Sequence, residues 1–166
     1  MLNNKKSQGF TLLEVIVAIF LITVGVGGSL ALINQTLSAA QILPQKLIAS
    51  YLAQEGIEIA KNIRDSNLLK IRQGLEGVNW DSGLTGCASG CEADFNDPAL
   101  SPNDRYLKIG NGFYNYDSGQ DVIFKRKMTI TPEGVDILKV LVEVSWQERG
   151  RTHKVKAQAN LYKWWQ

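Results

Sequence analysis

An almost uninterrupted apolar run near the N-terminus is the feature that most constrains this chain. Residues 10–33 comprise 24 positions with a single charged side chain, Glu14. As an α-helix rising ~1.5 Å per residue, such a run covers about 36 Å, which is enough for a bilayer core of roughly 30 Å. We therefore expect a membrane-spanning helix at 10–33, followed by a chain whose composition is that of a soluble domain.

The charges around this run predict its orientation. Lys5 and Lys6 precede it, and the next basic residue is Lys46. Basic residues mark the cytoplasmic side of a span, so we predict a single-pass inner-membrane protein with a cytoplasmic N-terminus and an extracytoplasmic C-terminal domain. A secretory signal peptide, cleaved near the small residues 38–40, and a plain membrane anchor are two alternatives. The apolar core of a signal peptide has only about 7–15 residues.

Glu14 argues against both alternatives. A carboxylate inside an apolar helix costs on the order of 2–3 kcal/mol, and no basic residue lies within the span to pair with it. If the chain were cut between Gly9 and Phe10, the new amine of Phe10 would be a cation one helical turn away. That amine could neutralise this glutamate or the glutamate of a neighbouring chain.

A polar leader, a glycine, a phenylalanine, a glutamate and a long apolar run follow in fixed order, as Lys5-Lys6-x-x-Gly9-Phe10-Thr11-Leu12-Leu13-Glu14-Val15. This pattern resembles the leader and cleavage motif of the type IV pilin and type II secretion pseudopilin family. The resemblance implies that residues 1–9 are a leader, that a prepilin peptidase cuts after Gly9, and that it methylates the amine of Phe10. It also implies that Glu14 guides assembly by pairing with a neighbour's N-terminus, and that the helices pack into a filament core.

Within that family the chain is most similar to minor pilins or minor pseudopilins, through Glu14-Val15-Ile16-Val17-Ala18 and Val24-Gly25. The implied partners are other pilin subunits, in a homo- or hetero-filament, the prepilin peptidase and methyltransferase, an inner-membrane assembly platform, and the lipid bilayer before assembly. The implied final location is a filament at the cell surface. The chain departs from the family at Ala31, where many members have a proline. It has Gly25, Gly27 and Gly28 instead, which could either loosen the helix or let helices approach closely.

Composition excludes several other classes of protein. Lys and Arg number 18 against 16 Asp and Glu, and removing a leader with two lysines leaves 16 of each. That balance gives no general attraction to nucleic acid, which we do not expect as a partner. The single histidine, His153, has no accompanying nucleophile pattern, and one His with two Cys is too few for a common zinc site. We expect no catalytic residue, no cofactor and no metal.

Apolar residues continue at helical spacing beyond the span. Their stripe runs through Ile48, Ala49, Leu52, Ala53, Gly56, Ile59, Ala60 and Ile63. This predicts one helix from about 10 to 70, whose amphipathic part occupies 34–73. We expect a bend near Pro44, because proline removes a helical hydrogen bond and clashes with the preceding turn.

Residues 74–121 are rich in Gly, Asn, Asp, Ser and Pro, so we predict a loop region with little regular structure. We expect Cys87 and Cys91 to form a disulfide, since disulfides persist outside the cytoplasm. A metal or redox pair is the alternative, although redox pairs have the spacing C-x-x-C. An oxygen-rich stretch could be a calcium site or, as we favour, solvated turn residues: Asp94, Asn96, Asp97, Asn103 and Asp104.

Residues 122–166 alternate between apolar and polar side chains in three stretches. The apolar members are Val122, Phe124, Met128 and Ile130, with Arg126 breaking the pattern; Leu138, Val140, Val142, Val144 and Trp146; and Val155, Ala157, Ala159 and Leu161. This predicts a three-stranded antiparallel sheet with one wet face. The helical stripe would cover the other face, which gives an α+β, pilin-like fold.

Three functions are consistent with these features. The first is a structural, non-enzymatic pilus subunit, and the second is a minor pseudopilin of a type II secretion system. The third is a membrane-anchored surface domain that binds a ligand such as DNA, through a basic patch formed by two neighbouring strands. For those basic residues we favour a solvated face that protects a sheet edge.

Overall fold

Residues 9–164 are described by a computed structural model of this chain. The predicted leader, apart from Gly9, and Trp165 lie outside the described residues. The elements are α1 (Leu12–Arg72), β1 (Lys108–Gly110), β2 (Phe113–Asn115), β3 (Gln120–Asp121), β4 (Lys125–Pro132), β5 (Ile137–Glu148) and β6 (Arg151–Tyr162). The chain divides into two compact units, with the boundary between Pro44 and Gln45.

The first unit contains the N-terminal part of α1. Its apolar side chains are largely exposed, for example Phe10 at 81% and Leu12 at 80%. The hydroxyls of Thr23, Ser29 and Thr36 donate to backbone carbonyls three or four residues earlier in the same helix. This part of α1 therefore satisfies its own hydroxyl donors and presents an apolar surface, which a bilayer or other helices would have to cover.

The predicted single helix is confirmed, since α1 runs without a break from Leu12 to Arg72 and includes Pro44. It begins two residues later than the predicted span. The bend near Pro44 stays a prediction.

In the second unit, α1 covers one face of an antiparallel sheet with strand order β4-β5-β6. The predicted stripe is confirmed, because its residues from Ala49 to Ile63 are buried and Ile48 is half-buried. Helix and sheet approach closely at Gly56, where an added Cβ would lie 2.8 Å from a methyl group of Val142. Side chains at alternate positions of β5 are buried on this face: Leu138, Val140, Val142, Val144 and Trp146. The α+β architecture is therefore as predicted.

Arg126 requires a correction. We expected it to break the alternation of β4, but it occupies an inward position and its side chain is fully buried. Alternation places it on the same face as Met128 and Ile130. A charged side chain can take such a position only when partners replace its water, and α1 and the loop region supply those partners.

The loop region contains more regular structure than predicted. A second small antiparallel sheet has the order β2-β1-β3. Its β1–β2 hairpin turns at Asn111 and Gly112, with φ angles of 52° and 84°. A two-residue turn with both φ angles positive matches the right-handed twist of a hairpin, and Asn-Gly is its preferred sequence. These three short strands were not predicted, although most of the region 74–121 has no helix or strand, as expected.

Candidate functional site

Gly9 and Phe10 precede the first turn of α1 and have no helical structure. Both are exposed, and an added Cβ at Gly9 would meet nothing within 4 Å. The peptide bond between them is therefore free of helical hydrogen bonding on a chain that becomes helical two residues later. An accessible, non-helical bond is what a peptidase requires of its substrate.

Thr11 caps the helix. Its hydroxyl oxygen accepts a hydrogen bond from the backbone N–H of Glu14 at 3.3 Å, and its carbonyl accepts from Val15 at 3.3 Å. Thr11 and Glu14 thus stand in the Thr-x-x-Glu order of a capping box. This capping role was not predicted, although a threonine three residues before a glutamate and an apolar run is a known helix-start pattern in a sequence.

Glu14 lies in the first turn of α1 and is exposed. It is the only charged residue between positions 10 and 44. The N-terminal end of a helix carries a partial positive charge, which favours a carboxylate there by about 0.3–1 kcal/mol and disfavours an added cation. A new amine at Phe10 would therefore need a carboxylate close by, and within this segment Glu14 is the one residue that supplies it.

Within the part of the chain that the structure describes, α1 is the one helix long and apolar enough to cross a membrane. Its apolar stretch contains Glu14 close to one end. The candidate cleavage bond, the helix cap and the carboxylate therefore lie within six residues of one another at the N-terminal edge of the span.

The second unit has a buried polar cluster around Arg126. The guanidinium contacts Oε2 of Glu55 at 3.2 Å, and it donates to the carbonyl oxygens of Leu52 at 3.3 Å and Ala93 at 2.7 Å. The hydroxyl of Tyr116 donates to the carbonyl of Arg126 at 3.2 Å. Burial raises the pKa of Tyr116 to about 12, so this hydroxyl remains a donor at neutral pH. The cluster joins α1, the loop region and β4.

The oxygen-rich stretch is used for local hydrogen bonds. The carboxylate of Asp94 is buried and accepts from the backbone N–H of Asn96 at 3.0 Å, and Asp97 accepts from the N–H of Asp94 at 2.9 Å. Asp104 pairs with Lys125 at 2.9 Å. Among residues 9–164, no group of three or more His, Cys, Asp or Glu side chains is placed to hold a metal ion. Asp94 and Asp97 therefore organise a local turn, and Asp104 links the loop region to β4.

Cys87 and Cys91 form the predicted disulfide, and both are buried. The loop that they close lies along the outer edge of β4. Cys91 and Met128 exchange two backbone hydrogen bonds of 2.8 Å, and the N–H of Ile130 donates to the carbonyl of Cys87 at 3.2 Å. The disulfide loop therefore occupies a strand edge that would otherwise expose unpaired backbone groups.

Replacing both cysteines, as Cys87→Ser with Cys91→Ser, is expected to lower the free energy of unfolding by about 2 kcal/mol. The loop is short, so the cross-link removes only a moderate amount of entropy from the unfolded chain. Urea unfolding of the detergent-solubilised chain, followed by tryptophan fluorescence, measures this loss. Ser89→Ala, at an exposed position in the same loop, is the control and should be neutral. Equal stability of the double variant and the original chain would contradict the expectation.

The alternative of a basic patch on two neighbouring strands is not met by the basic residues of β4 and β6, because β5 lies between these two strands. Glu143 of β5 is paired with Lys154 at 2.8 Å and with Lys156 at 3.1 Å. The hydrogen bond from Lys154, followed by that from Lys156, lowers the pKa of Glu143 against the effect of burial. His153 is half-buried and stacks on Trp146, with ring centroids 5.3 Å apart. Much of this basic charge is therefore compensated on the sheet itself.

Comparison with known proteins adds one finding. Residues 4–30 match the family model described as the prokaryotic N-terminal methylation motif. No curated protein and no solved structure gives a significant match. The matched residues contain Gly9, Phe10, Thr11 and Glu14, the positions described above at the start of α1. The match supports the type IV pilin-like family for the N-terminal part of this chain.

Proposed function

We propose that this chain is a structural subunit, of the minor class, of a type IV pilus or a related filament such as a secretion pseudopilus. In this proposal the leader, residues 1–9, is removed by cleavage after Gly9, and the amine of Phe10 is methylated. The mature chain then enters the filament through the first half of α1. The motif match over residues 4–30 and the apolar surface of the helix support the proposal.

The observation that carries the proposal is the isolation of Glu14. It is the only charged residue from 10 to 44, and it lies four residues after Phe10, whose nitrogen would become the new N-terminus. Two unit charges 4 Å apart attract each other by about 4 kcal/mol at an effective dielectric constant of 20. In an apolar helix bundle, this pairing would select one axial register, because any other register leaves a carboxylate and an amine unpaired.

Before assembly, α1 would hold the subunit in the inner membrane, with the N-terminus in the cytoplasm and the second unit outside. Lys5 and Lys6 support this orientation through the positive-inside rule. The disulfide between Cys87 and Cys91 supports an oxidising location for the second unit. Assembly would exchange contacts of the helix with lipid for contacts with neighbouring subunits, at an inner-membrane platform.

Intact-mass analysis of the protein isolated from its host tests the proposal. The expected species lacks residues 1–9 and carries one methyl group on Phe10. Gly9→Val should keep the leader, because a side chain at that position hinders access to the bond. Gly27→Ala is the control: this glycine lies in the same apolar helix with no atom within 4 Å of an added Cβ, so the leader should still be removed. A native protein that begins at Met1 would indicate a simple membrane anchor.

A further inference from the structure

The start of α1 is defined by one residue. Thr11 is not helical itself, but its carbonyl accepts the first helical hydrogen bond, from Val15 at 3.3 Å. Its hydroxyl oxygen accepts from the N–H of Glu14 at 3.3 Å. These two contacts satisfy the definition of an N-cap, the residue at which helical geometry begins.

This cap lies directly after the residues of the candidate cleavage bond. Gly9 and Phe10 stay outside the helix, whereas a helix beginning one turn earlier would commit the carbonyls of both residues to hydrogen bonds within it. The sequence offers such an earlier start, because Ser7 is also a favoured N-cap residue. The position of the helix start therefore depends on which of the two caps is stronger.

We infer that Thr11 is a positioning residue for leader removal: its cap stops α1 just short of the Gly9–Phe10 bond and keeps that bond in the non-helical form on which the peptidase acts. This inference rests on the proposed function. Thr11 does not take part in the chemistry of cleavage. It sets the fraction of molecules in which the Gly9–Phe10 bond is non-helical and ready to bind the peptidase. Loss of the cap should lower this fraction, and the apparent dissociation constant of the substrate should rise as the reciprocal of the fraction.

The experiment uses the full chain in lipid vesicles with a purified prepilin peptidase, and it measures initial rates of leader removal over a range of substrate concentrations. Thr11→Val keeps the shape of the side chain but removes the capping oxygen. We expect KM to rise by up to about fivefold, the change in equilibrium constant that one cap of about 1 kcal/mol produces, with kcat unchanged. Thr11→Ser restores the oxygen and should restore KM.

Thr23→Val is the matched control. It removes a hydroxyl from the same apolar helix, where Thr23 donates to the carbonyl of Phe20 at 2.9 Å without capping anything. We expect its KM to equal that of the original chain. Adding Ser7→Ala to Thr11→Val removes the earlier cap and should bring KM back toward the original value.

An unchanged KM for Thr11→Val would overturn the inference, and so would a fall in kcat with KM constant, because that result would place Thr11 in direct contact with the reacting groups. Failure of the proposed function gives a different result. In that case the original chain itself would not be cut after Gly9 by the peptidase.

Discussion

Glu14→Gln is expected to reduce the incorporation of this subunit into filaments by more than tenfold. The change keeps the size of the side chain and removes only the charge. In the proposed filament, the methylated amine of Phe10 would then be buried beside a neutral amide. The lost attraction is on the order of 4 kcal/mol, and each 1.4 kcal/mol corresponds to a factor of about ten in an equilibrium constant.

The measurement is the ratio of subunit in sheared filaments to subunit in the membrane, at matched expression. Leader removal should continue in Glu14→Gln, because the cut bond and the Thr11 cap are unchanged, so intact mass separates a failure of processing from a failure of assembly. Glu58→Gln, at an exposed carboxylate of α1 in the second unit, is the control and should assemble normally. Normal incorporation of processed Glu14→Gln would exclude the pairing role.

The second large effect is expected at Arg126. Arg126→Ala should lower the free energy of unfolding by about 2–4 kcal/mol, because it removes a fully buried side chain and its hydrogen bonds, while the paired Glu55 carboxylate stays partly exposed. The substitution removes the guanidinium donor from the Ala93 carbonyl and the second, side-chain donor from the Leu52 carbonyl, and it opens a cavity between α1 and β4. Each buried polar group left unpaired costs about 1–3 kcal/mol.

Urea unfolding of the detergent-solubilised chain measures this loss, with Trp146 and Trp80 as buried reporters. Lys125→Ala is the control. Lys125 is the preceding residue in β4, but its ion pair is with Asp104, whose side chain is 73% exposed, and exposed pairs contribute only about 0–1 kcal/mol. Arg126→Met fills most of the volume and should lose less stability than Arg126→Ala. Similar stabilities for Arg126→Ala and Lys125→Ala would show that the buried cluster does not stabilise the second unit.

The parts of the fold that the sequence predicted correctly depend on regular patterns. The apolar run, the stripe from Ile48 to Ile63 and the alternation in β5 and β6 each repeat a simple period, and the structure confirms the helix and the three strands. Such patterns predict secondary structure because every apolar residue in them favours the same arrangement, the one that removes its surface from water. The disulfide was also predictable, from two nearby cysteines in a domain that the charge pattern predicts to lie outside the cytoplasm.

Other features of the structure were not predicted from the sequence, because each depends on a single residue and not on a repeated pattern. The β1–β2 hairpin turn depends on the pair Asn111-Gly112, whose sequence is itself a hairpin signal. The start of α1 likewise depends on Thr11, a favoured capping residue. Arg126 could not have been placed from the sequence, because a buried arginine depends on partners 33 and 74 residues away along the chain.

Local sequence is enough to predict a long apolar helix with one acidic residue near its start, because hydrophobicity and charge are properties of adjacent residues and need no fold to be recognised. It is also enough to predict that a sheet with one apolar face follows. The contacts by which Arg126 joins α1 to β4 and the loop region, and the pairing of the disulfide loop with the edge of β4, are known from the folded chain alone. Those contacts bring together segments far apart in the chain, and their energies depend on burial and geometry that local patterns do not contain.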